Sequence, residues 1–87
     1  MSNRLAEKVC IITGTGGSLG RASALAFARE GASIVGCDLT VDAAQATVDM
    51  VRSAGGTMGS LQPCHLTNPT DCQTLVDFAA WRKIQNR

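Results

Sequence analysis

The sequence predicts an α/β fold in which three βα units form three layers, with helices on both faces of a parallel sheet. Short apolar runs alternate with longer amphipathic stretches, and no linker or internal repeat interrupts them. The 87 residues, 45% of them hydrophobic and 17% charged, suit one small domain or a part of a larger one. We therefore expect the element order βαβαβα within a single unit over residues 1–87.

The first unit begins with a strand predicted over Lys8 to Thr13, an almost continuous apolar run typical of strands buried on both faces of a parallel sheet. A glycine-rich segment follows it. A helix is expected from about Leu19 to Glu30, with Gly31 as its C-terminal stop. Its predicted inward stripe has helical spacing and contains Ala22, Leu25, Ala26 and Arg29.

The second unit begins with a short apolar strand predicted over Ser33 to Asp38. Thr40 is expected to cap a helix that runs through about Ala54 and ends at a Gly-Gly pair. The predicted inward stripe of this helix contains Ala44, Val48 and Val51.

The third unit is predicted to begin with a weaker strand over Thr57 to Cys64, since Gly59 and Pro63 both lower β propensity. Asn68 and Pro69 suit the N-cap and first turn of a last helix. The predicted buried face of that helix contains Leu75, Phe78 and Ala79.

Charge and composition exclude several classes of partner. A net charge of +1 gives no basic field, so we expect neither nucleic acid nor an anionic membrane as a partner. The aliphatic run Val9 to Ile12 is far shorter than the about 20 residues that span a bilayer, and no signal-peptide core follows the N-terminus, so we expect a cytoplasmic location.

Among the four cysteines, Cys64 and Cys72 match no CxxC pair, so reduced thiols and no metal site are expected.

The segment Thr13 to Gly20 reads TGTGGSLG and lies between a predicted strand and a predicted helix. In that position, Gly14 would permit a sharp turn, and Gly20 would let the helix pack closely on the sheet. Gly16 or Gly17 would let backbone N–H groups approach a phosphate. The alternative is a plain βα loop that needs positive φ angles. The candidate phosphate-binding residues are Gly14, Gly16, Gly17, Ser18, Leu19 and Gly20.

Asp38 ends the second predicted strand, about 20 residues after the glycines, where a carboxylate can bind the ribose of a dinucleotide. A carboxylate there accepts two hydrogen bonds from the 2′,3′-diol and repels the 2′-phosphate of NADP. The next residue, Leu39, supplies no cation to offset that repulsion. We therefore expect NAD as the cofactor, with NADP less favoured. The alternative is a turn or helix-capping role for Asp38.

In these residues the chain resembles the N-terminal part of the short-chain dehydrogenase/reductase family, over about Lys8 to Ala80. The family pattern TGxxxGxG is met except at its middle glycine, where this chain has Ser18. Gly17 instead fits the pattern TGxxGxxG of the family's extended branch. The segments RASALA and TNPTD resemble the shorter branch, which includes many hydroxyl-dehydrogenases and ketoacyl reductases.

The resemblance implies a partial Rossmann fold with strand order 3-2-1 and the cofactor-binding half of an enzyme that transfers hydride between a nicotinamide and an alcohol or ketone. It places His65, followed by Leu66, where the family has an adenine-contacting Asp; a solvated loop residue is the alternative. The family's Asn-Asn-Ala-Gly segment, catalytic Ser and Tyr-x-x-x-Lys pair are missing, and the 87 residues contain no Tyr. We therefore expect no catalytic residue here and no hydride transfer by this chain alone.

Two other interpretations stand beside this one: a stand-alone nucleotide-binding or regulatory module, and a non-functional truncated remnant. Without a fourth strand, the first strand is predicted to be an exposed sheet edge, open to self-association or to a partner. Residues 81–87 form a basic ending that departs from the family pattern. It is either a small contact patch for a partner or a nucleic acid, or a solvated helix end.

Overall fold

The structure, a computed structural model, describes residues 4–64 and 67–85, so the predicted adenine contacts His65 and Leu66 lie outside the described residues. Three strands and three helices alternate along the chain, which confirms the predicted βαβαβα order. The elements are β1 (Val9–Thr13), α1 (Ser18–Arg29), β2 (Ser33–Cys37), α2 (Val41–Ser53), β3 (Thr57–Leu61) and α3 (Pro69–Gln85).

The three strands form one parallel sheet with β2 at its centre. The pairing sets Thr13, Cys37 and Leu61, the last residues of the three strands, side by side. The predicted strand order 3-2-1 is confirmed. Because all three strands end at the same edge of the sheet, the loops that follow them meet there.

Helices cover both faces of the sheet, giving the predicted three layers. On one face, α1 and α2 pack against the sheet, and the core there contains Ile12, Ala24, Ile34, Val48, Val51 and Met58. On the other face α3 packs against the sheet, and the core there contains Val35, Cys37, Cys64, Leu75 and Ala79. All five residues of β2 are buried, because this strand has neighbours on both sides and helices on both faces.

β1 is buried less than the continuous apolar run predicts. Ile12 points into the core, whereas Ile11 is 47% exposed. The reason is the position of β1 at the edge of the sheet, where its other side has no strand within the part of the chain that the structure describes. Phe27 of α1 is exposed beside this edge as well. The predicted open edge is therefore confirmed.

Of the residues predicted for the inward face of α1, Leu25 packs against the core, whereas the other three do not. Ala22, Ala26 and Arg29 are exposed, and the inward face centres on the fully buried Ala24. The Arg21 side chain reaches across to α2, a contact between residues distant in sequence that the periodicity of α1 does not indicate. The stripes predicted for α2 and α3 do face the core.

The ends of the elements follow from local hydrogen bonding. β3 ends at Leu61 and is shorter than predicted, since Pro63 has no N–H to donate to a sheet. The Asn68 side chain accepts a hydrogen bond from the Thr70 N–H at 2.9 Å, which confirms the predicted cap of α3. Thr40 occupies the N-cap of α2 as predicted, and its carbonyl accepts from the Ala44 N–H at 3.2 Å, but its side chain makes no capping hydrogen bond.

α3 extends into the predicted basic ending, since residues 81–85 are helical. The Trp81 ring is half exposed, and its centroid lies 6.5 Å from that of Phe78. In the described ranges, no helix has the length and apolar character needed to cross a membrane.

Candidate functional site

The loop after β1 depends on the left-handed conformation of Gly14, whose φ is +69°. Its N–H donates to the Cys37 carbonyl at 2.9 Å, and its own carbonyl accepts from the Gly17 N–H at 3.0 Å. These bonds tie the loop to the end of β2 and fold it into a tight turn. The sharp turn predicted at Gly14 is confirmed.

Gly20 allows the first turn of α1 to lie directly on this loop. A Cβ at Gly20 would collide with the Gly14 carbonyl oxygen and would lie 2.7 Å from the carbonyl carbon. It would also lie 3.1 Å from the Thr15 Cα. The close approach is therefore to the glycine-rich loop, whereas the sequence predicted an approach to the sheet. Gly17 is less restricted, because a Cβ there would meet only the Gly14 oxygen, at 3.5 Å.

The N-terminus of α1 presents backbone donors without helical acceptors. The first hydrogen bond of the helix runs from the Arg21 N–H to the Gly17 carbonyl at 2.9 Å, so the N–H groups of residues 18–20 precede it. Gly17 occupies the N-cap without a side-chain cap, and the first turn contains no acidic residue. Three N–H donors at the positive end of a helix dipole favour an anion such as a pyrophosphate.

The Gly16 N–H, which was predicted to approach a phosphate, has an acceptor within the protein. This N–H donates to Asp38 Oδ2 at 2.6 Å. A Cβ at Gly16 would lie 2.8 Å from the Ala43 Cβ and 2.9 Å from the same carboxylate oxygen. Gly16 is thus needed for contact with Asp38 and α2. Since the N–H groups of Gly16 and Gly17 both have acceptors within the protein, the donors left for a phosphate are those of residues 18–20.

Asp38 directly follows β2, and its carboxylate is held by the backbone. Oδ1 accepts from the Thr40 N–H at 2.9 Å and Oδ2 from the Gly16 N–H. These hydrogen bonds, that from Thr40 foremost, lower the pKa of Asp38 below its usual value, so it is ionised at neutral pH. A carboxylate has about four acceptor positions. Because the Leu39 N–H also contributes to the lowered pKa, the turn role considered for Asp38 leaves about one further position, at which a ribose hydroxyl can donate.

A cleft of about 360 Å³ opens beside Asp38, at the carboxyl ends of the three strands. It is lined by Thr13, Gly14, Cys37, Asp38, Leu39, Cys64 and Thr67. The Leu39 side chain is 58% exposed at its rim. A largely apolar cleft with one ionised carboxylate at its edge suits a nucleoside, whose base is apolar on its faces and whose sugar is polar.

Two thiols line this cleft. Burial and a hydrogen bond with Cys64 raise the pKa of the Cys37 thiol to about 11, so Cys37 is neutral at pH 7. Both side chains are almost completely buried. Across residues 4–64 and 67–85 no three metal-ligating side chains come together. The cysteines therefore act here as small apolar groups.

A second cleft, of about 520 Å³, follows the open edge of β1. It is lined by residues 11–14 and 17–20 together with Ser23 and Phe27. The two clefts share Thr13 and Gly14, so the glycine-rich loop lies between them. An extended ligand has room to cross the loop from one cleft to the other.

Three residues that hold the loop were missed by the sequence prediction. Thr47 is fully buried on α2, donates its hydroxyl to the Thr15 carbonyl and accepts from Arg21 Nε at 3.0 Å. Thr15 is fully buried too. One signal was available, since a Thr within the apolar stripe of α2 must pair its hydroxyl when buried. Its partner could not be read from the sequence.

The chain is similar in sequence and in fold to known enzymes. Cyclohexanol dehydrogenase from Acinetobacter sp. (strain SE19) is 37% identical to this chain over 79 residues, which cover 91% of this chain and 31% of that enzyme. A solved structure of 7α-hydroxysteroid dehydrogenase complexed with NADH and 7-oxo glycochenodeoxycholic acid matches with a TM-score of 0.85 at 36% identity. That match covers 94% of this chain and 32% of the other.

A metagenomic short-chain oxidoreductase in complex with NADP has the same fold, with a TM-score of 0.83 at 22% identity over 92% of this chain and 36% of its own. This chain thus spans about a third of the length of each of these proteins. The sequence profile of the short chain dehydrogenases matches residues 8–85. Since the match covers nearly the whole chain, and the sheet, glycine-rich loop and cleft are in place, the chain belongs to the short chain dehydrogenase family.

Proposed function

We propose that these residues form the NAD(H)-binding N-terminal portion of a short-chain dehydrogenase that acts on an alcohol or a ketone. The observation that carries the proposal is the position of Asp38. Its ionised carboxylate lies at the end of β2, between a cleft that suits a nucleoside and the open N-terminus of α1. Family membership supports a nicotinamide cofactor, and the carboxylate supports the choice of NAD.

In this proposal the adenosine occupies the cleft beside Leu39, a ribose hydroxyl binds Asp38, and the pyrophosphate binds the N–H groups of residues 18–20. Gly14, Gly16 and Gly17 shape the loop that sets these groups in place. His65 and Leu66 remain predicted adenine contacts. The nicotinamide, when bound, supplies the hydride acceptor or donor. The residues named above bind the adenosine and pyrophosphate half of the cofactor, and none of them handles a substrate proton.

The preference for NAD is tested by calorimetric titration with NAD⁺ and NADP⁺. We expect NAD⁺ to bind at least about tenfold more tightly, because the 2′-phosphate of NADP⁺ would face the Asp38 carboxylate. Asp38→Asn removes the negative charge and should reduce the difference in affinity between NAD⁺ and NADP⁺. Asp42→Asn, which alters an exposed carboxylate in the first turn of α2, is the matched control and should leave the difference unchanged. Equal binding of both cofactors to the unaltered chain would contradict the proposal.

We also propose that these 87 residues do not transfer hydride on their own. They contain no Tyr, so the family's general acid/base has no counterpart among them. The test supplies the chain with NAD⁺ and a secondary alcohol such as cyclohexanol and follows NADH absorbance. No signal above a buffer control is expected, whereas a rate that scales with protein concentration would contradict the proposal.

The open edge of β1 is proposed as a contact surface, either for a second copy of the chain or for another protein. Ile11 and Phe27 are exposed beside unpaired strand backbone, an arrangement that favours pairing with a further strand. The cytoplasmic location stays a prediction from the sequence.

A further inference from the structure

The peptide unit that joins Thr15 to Gly16 is held at both ends by side chains. Its carbonyl oxygen accepts the hydroxyl proton of Thr47, and its N–H donates to Asp38 Oδ2 at 2.6 Å. Both bonds belong to the same peptide plane, so rotating the plane would break them together. The orientation of this one peptide is therefore coupled to the orientation of the Asp38 carboxylate.

Thr47 is itself oriented by a charged neighbour. Arg21 donates from Nε to the Thr47 hydroxyl at 3.0 Å and from Nη2 to the Ala43 carbonyl at 3.2 Å. A hydroxyl that accepts from a guanidinium is polarised and becomes a stronger donor through its own proton. Thr47 is fully buried, and its hydroxyl lies closer to the Thr15 carbonyl, at 2.5 Å, than to its other acceptor, the Ala43 carbonyl, at 3.4 Å. The guanidinium, the hydroxyl, the peptide and the carboxylate thus form one continuous chain of hydrogen bonds from α1 through α2 to the end of β2.

We propose that Thr47, oriented by Arg21, is a positioning residue for the cofactor: by fixing the Thr15–Gly16 peptide, it holds the Asp38 carboxylate in the geometry that receives the ribose diol. The inference rests on the proposed function, since it assigns a ribose to Asp38. Thr47 touches neither the ribose nor the phosphates in this assignment. It acts through the peptide, and the expected ligand is any adenosine diphosphate with a free 2′,3′-diol.

The first test compares Thr47→Val, which keeps the shape and removes the hydroxyl, with the full unaltered chain. Calorimetric titration with ADP-ribose should give about tenfold weaker binding for Thr47→Val, the loss expected from one buried hydrogen bond. Thr47→Ser restores the hydroxyl and should bind within about twofold of the unaltered chain. Unchanged binding by Thr47→Val would overturn the proposal.

A second variant distinguishes an effect on the position of the Asp38 carboxylate from an effect on the stability of the folded protein. Val48→Ala removes buried volume from the adjacent position of α2, and because a Val side chain has no donor or acceptor, it takes away none of the side-chain hydrogen bonds described above. It should lower the urea midpoint while leaving the affinity for ADP-ribose unchanged at temperatures where the protein is folded. If Val48→Ala and Thr47→Val weaken binding equally, Thr47 acts only through stability and the proposal fails.

A third measurement needs no ligand and so stands apart from the proposed function. The pKa of Asp38, followed by NMR of its carboxyl carbon, should be below its usual value in the unaltered chain and in Val48→Ala, and should move back up in Thr47→Val as the Gly16 hydrogen bond loosens. An unchanged pKa in Thr47→Val would overturn the inference. Failure of the unaltered chain to bind ADP-ribose would instead overturn the proposed function, while the pKa comparison still decides the role of Thr47 in positioning the carboxylate.

Discussion

Gly20→Ala gives a quantitative test of the contact between α1 and the loop. The added Cβ would meet the Gly14 carbonyl, with the carbon at 2.7 Å and the Thr15 Cα at 3.1 Å. All of these atoms are backbone, so no flexible side chain can move aside. Overpacking costs about 1–3 kcal/mol, here at the upper end, while the better helix propensity of Ala returns up to about 1 kcal/mol. We expect a net loss of about 2 kcal/mol in the free energy of unfolding.

The assay is urea unfolding followed by far-UV circular dichroism. A domain of this size has a stability of about 4–13 kcal/mol and a urea slope of about 1 kcal/mol/M, so the midpoint should fall by about 2 M. Gly17→Ala is the matched control. It adds the same methyl group three residues earlier, with one contact at 3.5 Å, and should cost at most about 1 kcal/mol as a poorer N-cap. Equal midpoints for the two variants would refute the argument.

Three further predictions concern Asp38, Cys37 and Ile11. The fold lowers the pKa of Asp38, so ionisation of this carboxylate stabilises the folded state. The stabilisation is present at pH values above the usual carboxyl pKa of about 3.9, and it is lost as the pH falls through the lower pKa of the folded state. Urea midpoints should therefore fall more steeply on acidification in the unaltered chain than in Asp38→Asn, and parallel curves would contradict this. Burial raises the pKa of Cys37 to about 11, so iodoacetamide should label it far more slowly in the folded protein than in urea at about pH 8; equal rates would be inconsistent with the buried thiol. Ile11→Lys places a charge on the open edge of β1 and should reduce the average mass in sedimentation equilibrium if a second copy pairs there, whereas a monomeric unaltered chain would exclude a second copy as the partner of this edge.

The order of the elements could be predicted because it depends on local signals. Apolar runs, helical periodicity and the Gly-Gly, Asn68 and Pro63 positions act over a few residues, and the structure follows them. The position of β1 at one side of the sheet was predictable as well, since within residues 4–64 and 67–85 it follows from the family's strand order.

Two features could not be predicted: which face of α1 packs against the sheet, and which hydrogen bonds hold the glycine-rich loop. Both depend on pairs distant in sequence, such as Arg21 with Thr47 and Gly16 with Asp38. A glycine pattern indicates where backbone must approach something closely, but it does not say what is approached. At Gly16 the neighbours are a carboxylate and α2, while at Gly20 the neighbour is the loop itself. The same pattern is therefore compatible with several assignments of the phosphate donors.

The central claim is that a dinucleotide binds between Asp38 and the N-terminus of α1. It is tested most directly by ¹H–¹⁵N correlation spectra of the full chain, with and without millimolar NAD⁺. We expect a dispersed spectrum in which the amides of Ser18, Leu19 and Gly20 shift with NAD⁺, while that of Gly55, in the turn between α2 and β3, does not. A collapsed spectrum, or a dispersed one in which the amides of residues 18–20 stay in place, would contradict it.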